Sequence, residues 1–142
     1  MTGYSSNEPL LIEQVGDHYQ FRYDLKQIDR SLDDGGSLSE WQYSWIEVPI
    51  ASIEGDLDRA YAKVVRTERM RTLTVTTAGG KIFDADETSQ ARMSRALQTA
   101  QITGLTETAW VMADNTVVTV TVEEMQEALA LSVLAQATVW FI

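Results

Sequence analysis

At 142 residues with a formal net charge of −10, the chain has room for one domain, or for one domain with an N-terminal elaboration. A chain of this size buries about two thirds of its unfolded surface and needs no metal or disulfide to fold. It has no cysteine, which excludes disulfides and thiolate metal sites, and its acidity disfavours phosphate backbones and anionic lipid surfaces as partners.

With 44% apolar and 23% charged residues the composition is that of a globular protein. The charge is uneven: residues 1–58 carry −9, residues 59–71 carry +4 and residues 72–142 carry −5. No apolar run reaches the length of a membrane span, and MTGYSSNEP lacks the basic-then-apolar layout of a signal peptide. The expectation is a cytoplasmic protein.

In chain order, Tyr19–Tyr23 alternates aromatic and polar residues as a half-buried strand does, and Trp41–Val48 repeats the pattern with Trp41, Tyr43 and Trp45 on one face. Ser31 to Ser39, with Asp33-Asp34-Gly35-Gly36, reads as a turn or loop between them, and Pro49 ends the second strand for want of an amide. A helix is predicted over 53–69, capped by Ser52, with Glu54, Asp56 and Asp58 early and the basic residues late, as the helix dipole favours. Ile53, Leu57, Ala60, Tyr61 and Val64 form its apolar face, a spacing that also suits a short coiled-coil seam.

A unit then repeats. Thr72–Thr77 is a β-branched strand, Gly79-Gly80 a two-residue hairpin turn, Lys81–Phe83 the return, and Asp84 with Glu87 a capping box. The helix that follows carries Met93, Ala96, Leu97 and Ala100 on one face and stops at Gly104. The second copy has strands Ala109–Ala113 and Thr116–Val120 about a turn at Asp114-Asn115. Its capping box, Thr121 with Glu124, lies 37 positions after the first, and its helix covers 122–139. A two-residue turn pairs Val111 with Val118 and leaves both hairpin faces apolar, so this hairpin is expected to be central, packed on each side. Met125, Leu129, Leu131, Val133, Leu134, Val139 and Trp140 make the last helix apolar over much of its circumference, as in a buried helix or an interface. The fold class is therefore α+β: N-terminal antiparallel strands (1–50), a linking amphipathic helix (51–70) and a C-terminal ββα-ββα domain (71–142).

Few residue sets point to chemistry. His18 beside Asp17 suggests a general base, but neighbours on a strand face opposite ways and the chain has no thiol nucleophile. Asp29, Ser31, Asp33, Ser37 and Glu40 match positions 1, 3, 5, 9 and 12 of a calcium loop, yet Asp34 stands where glycine is required, and a solvated acidic loop explains them better. Asp84, Asp86 and Glu87 are explained as helix-capping acids. No catalytic, cofactor-binding or metal residue is assigned, and no cofactor is expected. The candidates for partner binding are Tyr19, Phe21, Tyr23, Trp41, Tyr43 and Trp45, with Arg59, Lys63, Arg66 and Arg69 on the linking helix and Trp140 at the C-terminal end.

The motifs Gly80-Lys81-Ile82-Phe83-Asp84-Ala85-Asp86-Glu87-Thr88-Ser89-Gln90, Arg92-Met93-Ser94-Arg95-Ala96, Trp110-Val111-Met112-Ala113-Asp114-Asn115-Thr116 and Glu124 through Trp140 occur in this order. Residues 80–142 thereby resemble a domain of unknown function common in bacteriophage and prophage tail-fibre and tail-fibre-assembly genes, and QYSWIEVP followed by a helix resembles what often precedes it. The resemblance implies a non-enzymatic tail protein that binds a tail-fibre or baseplate subunit as an assembly chaperone or accessory, in the host cytoplasm during assembly. Alternatives are a structural component that stays in the virion tail and an acidic inhibitor of a host protein. A homo-oligomer is an open expectation; nucleic acid and membrane are not expected partners.

Overall fold

The computed structural model describes residues 1–141. Contacts divide it into two compact units, 1–65 and 66 onward. The first is built on a four-stranded antiparallel sheet of β1 (Thr2–Ser5), β2 (Ile12–Val15), β3 (His18–Ser31) and β4 (Ser37–Pro49) in the order β1-β4-β3-β2. A two-residue turn, Gly16-Asp17, joins β2 to β3, with Gly16 supplying the positive φ that such turns demand. The ladder between β3 and β4 slips between Tyr23 and Lys26: Asp24, at φ 53°, and Leu25 together face Tyr43. This bulge bends the ribbon and resets which side chains point to which face. Beyond it, Ile28–Ser31 pairs with Ser37–Glu40 as a two-stranded arm, past the ends of β1 and β2.

Register decides the faces. Phe21 lies opposite Ile46, Tyr23 opposite Ser44 and Tyr19 opposite Val48, so these six share one face. Phe21 is fully buried there; the Tyr61 ring meets it edge-on at 5.4 Å, and the Tyr61 hydroxyl donates to the Arg22 carbonyl at 2.6 Å. Arg22 pairs with Trp45, which puts the side chains of Arg22, Tyr43, Trp45 and Trp41 on the opposite face. The six candidate aromatics on β3 and β4 are therefore two sets, not one cluster.

After Pro49 the chain makes one 3-10 turn (Ile50–Ser52), and α1 runs from Leu57 to Arg71. The helix starts four residues later than predicted because Gly55 adopts φ 77°, which is not helical. Ser52 is spent on the 3-10 turn, donating its hydroxyl to the Pro49 carbonyl. Asp56 caps α1 instead, accepting from the Arg59 amide at 2.9 Å.

The second unit holds two hairpin–helix repeats: β5 (Thr74–Thr76), β6 (Ile82–Asp84) and α2 (Glu87–Thr103), then β7 (Glu107–Val111), β8 (Val117–Thr121) and α3 (Val122–Trp140). Their spacing is 35 positions, because the cap of α2 is Asp86, whose carboxylate accepts from the Ser89 amide, and not Asp84. Thr121 with Glu124 forms the predicted reciprocal box on α3. Gly104, at φ 73°, ends α2 as expected, its amide bonded to the Ala100 carbonyl.

Neither hairpin closes on the two-residue turn expected. In the first, the Thr77 amide donates to the Lys81 carbonyl and the Gly80 amide to the Thr77 carbonyl; in the second, Met112, Thr116 and Asn115 repeat the arrangement. Each is a three-residue loop whose last member, Gly80 or Asn115, is left-handed. The tip of the β3–β4 arm is built alike, on Leu32, Gly36 and Gly35. The extra loop residue moves the second hairpin by one, so Val111 faces Val117 and Trp110 faces Val118. A one-residue shift exchanges faces. Trp110, Met112, Val118 and Val120 now turn to the core, while Val111 and Val117 are exposed, so this hairpin is packed on one side only.

The core of this unit is Val75, Phe83, Ala85, Met93, Met112, Val120, Met125 and Ala128. Met93, Ala96 and Leu97 meet it from α2 as the helical spacing predicts. Each large buried side chain contributes about 1.5–3 kcal/mol relative to an exposed one. The α3 helix buries one side (Met125, Ala128, Ser132, Val139) and exposes Val133 and Leu134 on the other. Ser132 is tolerated inside because its hydroxyl donates to the Ala128 carbonyl at 2.6 Å. No helix among the described residues is long and apolar enough to cross a membrane.

Candidate partner-binding surfaces

The sheet face bearing Trp41, Tyr43 and Trp45 is organised by Arg22. Its guanidinium lies 5.3 Å from the Tyr43 ring centroid, donates to the Leu10 carbonyl at 3.2 Å and to Gln20 Oε1 at 2.8 Å, and pairs with the Glu13 carboxylate. With four such partners the charge can sit in a side chain that is only 11% exposed. It also fastens the segment that crosses from β1 to β2. Beneath the Tyr43 ring lies Gly3: a Cβ there would stand 2.6 Å from the ring, so only glycine permits this ring position. Trp41, Tyr43 and Trp45 are all half-buried. They form a row along β4, in steps of two residues, and are of the residue types that dominate protein interfaces.

The other aromatic candidates sit differently. Phe21 and Tyr23 are buried and Tyr19 stacks on Phe21 at 6.2 Å between centroids, so this set is the interior of the first unit rather than a docking surface. The reason is register: α1 covers their face through Tyr61. Sequence alternation marks both strands as amphipathic, but only the pairing shows that their aromatics diverge.

The basic residues follow the turns of α1. Arg59 and Lys63 are exposed, Arg66 and Arg69 half-buried, and Arg71 pairs with Glu68 at 2.9 Å. Arg66 lies over the Trp140 ring, 5.4 Å from its centroid, and Trp140 is 46% exposed. The structure thus joins two of the candidates, Arg66 and Trp140, in one cation–π contact.

The remaining constellations are local. Asp17 lies in the β2–β3 turn rather than on the strand, so its carboxylate does reach His18 Nδ1, at 2.5 Å, contrary to the opposed orientation expected of strand neighbours. Asp29 pairs with Ser39 and Ser31 with Ser37 along the arm, while Asp34 accepts from the Gly36 amide in its tip. The calcium-loop positions are strung along a ladder instead of converging. Among the described residues no group of three or more His, Asp or Glu is placed to hold a metal ion.

Lys81 is a contact that sequence motifs did not reveal. Its ammonium reaches across from the first hairpin to both Glu124 oxygens, at 2.8 and 2.7 Å, and to the Thr119 carbonyl at 3.2 Å. Glu124 also accepts from the Thr121 amide, and these bonds, Lys81 first, hold its carboxyl below the usual carboxylate range. Glu127 accepts from the Ala78 amide at 2.7 Å, a second tie between α3 and the first hairpin. The Asp114 carboxyl is likewise lowered, by the Thr116 hydroxyl and amide within the second loop. All these acids have structural work.

No curated protein and no solved structure matches the chain. A family model does, over residues 56–141, taking in α1 and both hairpin–helix repeats. The chain belongs to the family described as Domain of unknown function (DUF4376).

Proposed function

We propose that this is a non-enzymatic bacteriophage tail protein that binds a tail-fibre or baseplate subunit, as an assembly chaperone or as an accessory of the tail. The tail context rests on the resemblance of residues 80–142 to domains of tail-fibre and tail-fibre-assembly genes. The observation that carries a binding role is the row of Trp41, Tyr43 and Trp45 held half-exposed around a buried Arg22 whose two terminal nitrogens are both bonded. Rigid aromatics beside an arginine are the residue types that dominate protein interfaces, because they bury much area at little entropic cost. The carboxylates with the clearest assignments, Asp86, Asp114, Glu124 and Glu127, serve caps, loops and ties between the repeats, which favours binding over catalysis.

Co-expression with the tail-fibre subunit of the same genome tests this reading. The two are expected to co-purify, and the fibre to trimerise less efficiently alone. Fibre that trimerises normally without this protein would eliminate the chaperone form. Mass spectrometry of purified virions separates a retained tail component from a transient helper.

A further inference from the structure

The two repeats of the second unit are alike in sequence spacing but not in packing. The α3 helix packs on α2, on its own β8 and on β5 of the other hairpin, whereas α2 makes no comparable contact with β7. Where that contact would be, a groove of about 210 Å³ opens, lined by Leu97, Ala100, Leu105, Val122 and Met125, with Glu107 its one ionisable group. This is smaller than the roughly 300–1,000 Å³ of small-molecule sites, and suits one or two apolar side chains. Leu105, at its edge, is 56% exposed.

The same unit carries an apolar ridge. Ala130, Leu134, Ala137 and Phe141 recur at spacings of four, three and four along the exposed side of α3, with Leu134 68% and Phe141 91% exposed. No ionisable residue occurs from 128 to 141. A chain of net charge −10 repels its own copies over most of its surface, so, the basic stretch 59–71 aside, two copies approach most closely where both surfaces are nearly uncharged. The groove and the ridge meet that condition. A copy cannot fill its own groove: from Met125 to Trp140, the last residue of α3 before Phe141, is fifteen residues, about 22 Å along the helix axis at 1.5 Å per residue.

We propose that the α3 end of one copy seats Phe141 and Leu134 in the α2–β7 groove of a second, giving a head-to-tail contact between copies of this chain. The contact is heterologous, so it either closes a ring or continues as a filament. A few hundred Å² on each side is below the roughly 800 Å² per partner of standard interfaces, so the single contact is weak.

Sedimentation of the full chain from micromolar to several hundred micromolar reads this directly. The wild type is expected to gain mass with concentration, and Leu105→Glu and Phe141→Glu each to weaken association at least tenfold. Both positions are exposed, so circular dichroism melts should match the wild type. The decisive arm is the equimolar mixture: the intact ridge of Leu105→Glu meets the intact groove of Phe141→Glu, and mass should recover to a dimer and stop there. A wild type that stays monomeric overturns the proposal. So does loss of association in Phe141→Glu alone, the signature of α3 packing on α3, or a mixture that stays monomeric.

Discussion

Gly79 and Gly80 are adjacent in one loop and should respond oppositely to alanine. The Thr77–Lys81 hydrogen bonds make residues 78–80 a three-residue loop in which Gly80 has φ 84° and Gly79 does not enter the left-handed region. Nothing lies within 4 Å of a Cβ built at either position, so only backbone conformation separates them. Alanine in the left-handed region costs about 1–2 kcal/mol. Reduced freedom of the unfolded chain returns about 0.4–1 kcal/mol at either site. Gly80→Ala should therefore lose about 0.5–1.5 kcal/mol and Gly79→Ala gain up to about 1 kcal/mol. The two variants then differ by about 1–2 kcal/mol, and with urea slopes of about 1–3 kcal/mol/M their midpoints move apart by about 0.3–2 M. Urea unfolding followed by circular dichroism measures this. Equal losses at both glycines would mean a two-residue turn with both residues left-handed, and would refute the loop and the register built on it.

Four further substitutions test other parts of the fold. Phe21→Ala empties a fully buried site and should cost about 3–5 kcal/mol in thermal or urea unfolding, a core effect unlike that of an interface residue. Asp86→Ala removes the α2 cap and should cost about 1 kcal/mol, while Asp84→Ala, exposed and outside the cap, should stay within about 0.5 kcal/mol of wild type. Glu124→Gln tests linkage. Because the folded carboxyl lies below its unfolded value of about 4.3, its stabilisation is complete above that pH and is lost as pH falls through the folded value. The gap between wild type and variant in urea midpoints should be constant near neutrality and narrow in acid; a gap that widens in acid would contradict the assignment.

The parts of this fold legible in the sequence were those set by local chemistry. The Thr121–Glu124 box, the Gly104 stop, the Met93–Ala96–Leu97 face and the alternation of β3 and β4 all follow from periodicity and backbone preference. Errors arose where one residue changes parity. Asn115 tolerates the left-handed region almost as glycine does, so Asp114-Asn115 reads equally as a two-residue turn or as the end of a three-residue loop, and the choice flips both hairpin faces. Asp84 and Asp86 both resemble caps, and only the geometry of the entering strand selects the second. The Asp24–Leu25 bulge and the divergence of the two aromatic sets depend on pairing between strands, which composition does not encode. Arg22 was hidden for the same reason: its partners Leu10, Glu13, Gln20 and Tyr43 come from three separate segments.

Calorimetric titration of the full chain with the purified tail-fibre subunit of its genome, using wild type, Trp41→Ala/Trp45→Ala and Phe21→Ala, tests the proposed role most directly. The account predicts measurable binding by the wild type and at least tenfold weaker binding by the tryptophan double variant, at a temperature where it remains folded. Phe21→Ala should melt earlier yet bind as the wild type does while folded. Undiminished binding by the double variant, or none by the wild type to any fibre or baseplate subunit, would contradict it.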